Sequence, residues 1–259
     1  MIERLAAVWT DYLVVMNQED YDSARELRLI PSKRLRYIPG IGIDLEQFSR
    51  TNIPPGEAEE FRHSLGLNPG ARLFLMVAEF NPGKRHRDAV EALALVGRAD
   101  FHLAFAGPGP ELERVRSLAE RLGVSDQVHF LGSRSDVPRL LSAADALVLP
   151  SEREGLPRSV MEAMAMGIPV IGADVRGIRD LVENEAGLLV PVGNTEQLAA
   201  AMSLIGTNAS AASEFARRGL HRIQRCGLQR IIAAHEELYS DALGDSESTL
   251  ITDVGRADA

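Results

Sequence analysis

The sequence has a single cysteine, Cys226, so no internal disulfide can form and no thiol framework for a metal exists. A reducing, cytoplasmic setting is therefore expected. Long apolar runs are missing too: none approaches the roughly 20 residues that span a bilayer, and Met1-Ile2-Glu3-Arg4 lacks the layout of a secretory leader. The basic stretch Arg25 to Arg36 allows at most a peripheral contact with the inner face of a membrane, and it fits a solvated helix face better. Positive charge is in deficit, with 28 Lys and Arg against 37 Asp and Glu and a net charge of −9. That balance excludes a nucleic acid held by broad phosphate neutralisation. The histidines, among them His63, His86, His102 and His129, show no i,i+4 pairing with carboxylates, so no metal site is expected. Asp20-Tyr21-Asp22 is a formal Asp-x-Asp, but it lies outside the ordered alternation described next and reads as chance.

What is present is alternation. Short apolar runs at Arg72–Val77, Phe101–Ala106, Gln127–Leu131, Ala146–Leu149, Ile168–Ile171 and Gly187–Val190 read as strands. The segments Arg85–Val96, Pro110–Leu122, Asp136–Ala143, Pro157–Met166 and Thr195–Leu204 carry apolar residues at helical spacing. Repeated strand–helix order predicts an α/β fold, a Rossmann-like parallel sheet with helices on both faces. Ligands of such sheets bind at the carboxyl edge, which singles out the loops Glu79–Lys84, Gly107–Pro110, Gly132–Asp136 and Ser151–Pro157.

Upstream, Leu13–Met16 reads as a strand and Gln18–Leu29 as a helix, and Ala58–Leu65 follows a Pro- and Gly-bearing connection as a short helix. The expected organisation is an N-terminal segment over residues 1–50, too short to be a domain, and a linker over 51–70. A sheet domain then spans 71–209, C-terminal helices 210–240, and a polar, disordered tail 241–259.

The segment from Ser151 to Ala165 follows a strand directly, and Pro157 stands where a helix can begin. Free amides at that helix start make a ready diphosphate site, and Gly155 lets the backbone come close. Glu154 precedes the helix and Glu162 lies on its second turn, so the two acids flank the phosphate position and form no acid/base pair. Carboxylates beside a diphosphate suit hydroxyl donors, a sugar on one side and a ribose on the other. Met161, Met164 and Met166 read as core filling.

Two glutamates with seven residues between them, with Glu154-Gly155 after the strand and Glu162-Ala163-Met164-Ala165 on the helix, resemble the retaining family 4 glycosyltransferases of GT-B type. The resemblance extends through Gly167–Ile171, Gly177–Val182 and Gly187–Pro191, roughly residues 72 to 205. It implies that Glu154 contacts the donor sugar, that Glu162 holds the ribose, and that Lys84 meets the diphosphate. The family's Arg five positions before that Lys is Glu79 here, leaving Arg85 or Arg87 as candidates for the missing charge. By the same resemblance Gly107-Pro108-Gly109 and the stretch from Phe130 to Arg134 line the base pocket, mostly through backbone atoms. Arg134 is the side chain there worth testing. Gly155, Leu156 and Pro157 complete the expected nucleotide site.

The implied partners are a nucleoside diphosphate sugar, with uridine the expected base, and a saccharide or lipid-linked acceptor, with no metal and no separate cofactor. Relatives carry a complete N-terminal domain for the acceptor, of which only a remnant is expected here. Two classes compete: a transferase, truncated or completed by a partner chain or self-association, and a nucleotide-sugar-binding module without turnover. A sugar-nucleotide epimerase is a third.

Overall fold

The computed structural model describes residues 6–183 and 185–254. They divide into two compact units, one formed by Met1–Gly42 with Arg225–Ala259 and the other by Ile43–Gln224.

In the first unit, β1 (Leu13–Val15) leads into α1 (Gln18–Glu26), whose cap Asn17 accepts a hydrogen bond from the Asp20 amide at 2.8 Å. The chain returns as β2 (Leu35–Tyr37), parallel to β1. The short β2, with only Leu35 fully buried, carries too little alternation to be read from sequence and was not among the expected strands.

The second unit begins with α2 (Glu57–Ser64) and alternates thereafter: β3 (Arg72–Val77), α3 (His86–Val96), β4 (Phe101–Ala106), α4 (Leu112–Arg121), β5 (Val128–Phe130), α5 (Val137–Ala143), β6 (Ala146–Leu149) and α6 (Arg158–Ala165). It continues through β7 (Val170–Ala173), α7 (Arg176–Val182), β8 (Leu188–Val190), α8 (Thr195–Thr207) and α9 (Ala209–Ile223). The six strands are all parallel in the order β5-β4-β3-β6-β7-β8. Leu73, Phe74, Leu75 and Met76 are wholly buried, as a strand covered on both faces requires. Met161, Met164 and Met166 sit in the core.

Several boundaries shift by a residue or more, and three differences from the sequence reading have a clear physical reason. Strand β7 starts at Val170 because Pro169 has no amide to give the ladder; its carbonyl accepts from Leu147 at 2.9 Å instead. The seven-residue α7, opening on Arg176-Gly177, is too short for a helical period to stand out. The C-terminal helical region is not one piece. Helix α9 packs in the second unit, whereas α10 (Leu228–Val254) sets Ile231 and Leu238 against Ile38, Tyr12 and Val14 in the first. Helix α10 also runs through residues expected as a disordered tail from 241. Ala, Leu and Glu dominate 233–243, and Gly244 costs a helix only about 1 kcal/mol. Residues 255–259 of that expected tail lie outside the described residues.

Connections run outward from β3 through β4 to β5, and the other way from β6 through β7 to β8. The chain thus reverses its winding direction between the neighbouring strands β3 and β6, and the carboxyl edge at such a switch point is where open sheets of this kind take their ligands.

Candidate functional site

The loop after β3 ends in a tight turn, Pro82–Lys84, closed by the Asn81 side chain accepting from the Lys84 amide at 3.2 Å. The loop after β6 is stitched to it: the Glu152 amide donates to the Gly83 carbonyl at 2.9 Å. This seam brings Lys84 Nζ within 2.6 Å of Glu154 Oε1, in an ion pair whose acid is only 8% exposed and whose lysine is 27% exposed.

Beyond Glu154 the chain passes through exposed Gly155 and half-buried Leu156 to buried Pro157, and α6 starts at Arg158. The position of that loop depends on a residue singled out from the sequence only as part of a matching stretch. A Cβ on Gly177, at the start of α7, would fall on the Gly155 carbonyl, so α7 can seat there only because position 177 has no side chain. Glu162, one turn along α6, is 6% exposed and accepts a hydrogen bond from Arg158 Nε at 2.8 Å. Burial raises the carboxyl of Glu162 above its ordinary range, and Arg158 pulls it part of the way back.

A third loop presses on the first. Gly107 and Gly109 have φ of +154° and +147°, and a Cβ on either would strike the backbone of Ala78 or Phe80. The Phe80 amide donates to the Pro108 carbonyl at 2.7 Å, and the Gly107 amide to the Gly132 carbonyl at 2.8 Å. Gly107 is thus a packing requirement of the loop after β3. Arg134 follows β5, two strands from the crevice; its guanidinium grips Asp136 with contacts of 2.7 and 2.5 Å and lies over the Phe61 ring.

Exposed Glu79 stands where the resemblance places an arginine. Neither candidate substitute is turned to that task here. Arg85 donates to Asp88 at 2.6 Å and lies 3.7 Å from Glu152, and Arg87 reaches Asp88 at 3.3 Å.

His86 is the residue that sequence reasoning missed. The run Lys84-Arg85-His86-Arg87 reads as the wet start of a helix, and α3 does start at His86, yet the ring is 2% exposed and stacked on Phe80 with centroids 4.0 Å apart. Neither ring nitrogen has a well-formed hydrogen bond. Burial lowers its pKa to about 4, helped by the Lys84 charge and partly offset by the Ala78 carbonyl, so the imidazole is neutral at physiological pH. It underlies the turn that carries Lys84. A hollow of about 170 Å³, lined in part by Asn81, Arg85 and Glu152, borders the same turn.

The crevice therefore combines a helix start with free amides, one lysine, and two low-exposure carboxylates each held by its own cation. Such a set can take a polyanion at the amides and hydroxyl groups at the acids. Among the described residues no helix is long and apolar enough to cross a membrane.

Comparison with known proteins bears on the same region. The chain is 31% identical over 242 residues to EpsD of Bacillus subtilis, a glycosyltransferase by name, covering 92% of this chain and 63% of that one. It is 30% identical over 202 residues to an Escherichia coli protein named UDP-Gal:alpha-D-GlcNAc-diphosphoundecaprenol alpha-1,3-galactosyltransferase, covering 75% of this chain and 51% of the relative. Among solved structures, Anabaena Alr3699/HepE in complex with UDP matches with a TM-score of 0.83 at 22% identity, over 92% of this chain and 65% of that one. The chain thus spans between half and two thirds of the length of these relatives. Its fold is that of the GT-B glycosyltransferases. Residues 57–222, well over half of the chain and including Lys84, Glu154 and Glu162, match the family described as Glycosyl transferases group 1, and the chain belongs to that family.

Proposed function

We propose that this chain carries the donor site of a retaining glycosyltransferase that moves a sugar from a nucleoside diphosphate sugar, UDP-linked, to a saccharide or lipid-linked acceptor at the cytoplasmic side of the cell. The observation that carries the reading is the Lys84–Glu154 pair at the switch point, beside the amide-rich start of α6. Support for uridine comes from relatives: HepE is described with UDP, and the Escherichia coli relative is named for UDP-Gal and a diphosphoundecaprenol acceptor.

In this reading the departing diphosphate rests on the amides of Gly155, Leu156 and Pro157's successor Arg158, with Lys84 neutralising its developing charge. Glu154 positions the sugar and Glu162 accepts from the ribose hydroxyls. The loops at Gly107 and Arg134 border the base. Catalysis is positioning and electrostatics, and the reaction is proposed to need no metal. The acceptor side is completed by polypeptide outside these residues, in the same or a partner chain.

The competing reading is a binding module that holds the donor without turning it over, favoured by Glu79 in the place of an arginine. Calorimetric titration with UDP and UDP-sugars, followed by assay of sugar transfer to lipid-linked and saccharide acceptors, separates them. Binding with transfer supports the enzyme, binding without transfer or donor hydrolysis supports the module, and no binding of any nucleoside diphosphate removes both.

A further inference from the structure

Arg158 opens α6 with its side chain 63% exposed, yet its Nε is fixed 2.8 Å from Oε1 of Glu162, which is 8% exposed at the side chain. Nearby cations are paired elsewhere: Lys84 with Glu154, and Arg85 and Arg87 with Asp88. Among the described residues Arg158 is the one cation on Glu162. Burial drives this carboxyl toward its neutral form, and the guanidinium opposes it. The state matters for recognition. An ionised carboxylate accepts at both oxygens, whereas a neutral carboxyl gives up part of that capacity and presents a donor. A vicinal diol offers two donors side by side. With Oε1 gripped by Nε along one helical turn, the carboxylate is held in a single orientation with Oε2 and the remaining lone pairs open.

We propose that Arg158 is a positioning and specificity-determining residue: by gripping Glu162, it sets a preference for ribonucleoside over 2′-deoxyribonucleoside diphosphates. The inference rests on the donor-site reading of Glu162. An ordinary surface pair at i,i+4 would have no such effect, because its loss changes little beyond the local helix.

The test is calorimetric titration of the full chain, and of its Arg158→Leu and Arg158→Lys variants, with UDP, GDP and ADP and their 2′-deoxy counterparts, at about pH 7.5 and about pH 5.5. The wild type is expected to favour the ribo form of its best base by about tenfold or more, the scale of one charge-assisted hydrogen bond. Arg158→Leu should bring that ratio close to unity and make ribonucleotide binding weaken further at the lower pH. Arg158→Lys, which keeps the charge, should recover part of both. Thermal melting confirms that the variants are folded, and the lysine variant carries the test if leucine is not tolerated. A wild-type ratio and unchanged pH response in both variants would overturn the proposal. Equal affinity of the wild type for ribo and deoxy forms would overturn it too while leaving the donor site standing, whereas no nucleotide binding by the wild type removes the donor-site reading itself.

Discussion

Lys84 Nζ lies 2.6 Å from Glu154 Oε1 although 70 residues separate them, because β3 and β6, the strands that deliver them, are neighbours in the sheet. Two sequence-distant loops are thus tied by a charge pair at the point where a ligand would enter. In the proposed reaction the diphosphate takes Lys84 for itself, which releases Glu154 to accept from the sugar.

Lys84→Gln tests this exchange. Losing one charged contact to phosphate should weaken UDP binding by about 1.5–3 kcal/mol, and it also strands the low-exposure Glu154 without a partner, lowering the melting temperature. The double variant Lys84→Gln with Glu154→Gln should regain stability without regaining affinity. Calorimetry and melting curves read the two effects separately, and recovery of affinity in the double variant would show that the lysine contributes nothing to the ligand.

Much of this arrangement is legible in the sequence, and what is not has identifiable causes. The largely apolar runs at Arg72–Val77, Phe101–Ala106 and Ala146–Leu149 coincide with β3, β4 and β6 residue for residue, since strands buried on both faces carry a near-continuous apolar pattern. Pattern does not reveal which strands are neighbours, so the meeting of Lys84 with Glu154 waited for the sheet order. The inward turn of His86 was masked by the charges on either side of it. Gly177 was visible as a residue but not as a contact, because its constraint comes from the Gly155 carbonyl of another loop.

Glu162 should show the usual conflict between function and stability. Its folded carboxyl titrates above the ordinary 4.5, so the folded protein binds the proton more readily than the unfolded chain, and the stabilisation belonging to the protonated acid is lost as pH rises through the raised value. Glu162→Gln is neutral at every pH. It should therefore melt higher than the wild type near neutrality, with the difference vanishing toward pH 4.5. Glu162→Ala should lose about 1.5–3 kcal/mol of nucleotide affinity. Unchanged affinity in a folded Glu162→Ala variant would take this acid out of the site.

His86 contributes a pH dependence of its own. Its pKa falls from 6.5 in the unfolded chain to about 4 in the folded one, so between those values the unfolded state holds more protons and stability declines as pH falls. The full difference amounts to about 3 kcal/mol. His86→Phe keeps a ring against Phe80 and removes the titration, so its stability should fall less steeply than that of the wild type over this window. Denaturant unfolding at a series of pH values measures the slope, and parallel wild-type and variant curves would mean that the ring is not held neutral.

Gly177→Ala separates the position of the Glu154 loop from its chemistry. In an ordinary helix this change stabilises by about 1 kcal/mol, because alanine is the better helix former. Here the new methyl would occupy the place of the Gly155 carbonyl, so either α7 or the loop must move, and overpacking of this kind costs about 1–3 kcal/mol. The loop is the less anchored partner: Gly155 is exposed and has no side chain to hold it, whereas Ile178 and Leu181 anchor α7 in the core. Displacing it would carry Glu154 away from Lys84 and shift the first amides of α6 off the phosphate position. Nucleotide affinity should consequently drop with no charged or hydrogen-bonding side chain altered, and a variant that melts higher than the wild type and binds UDP equally well would show that the close approach is not what holds the loop.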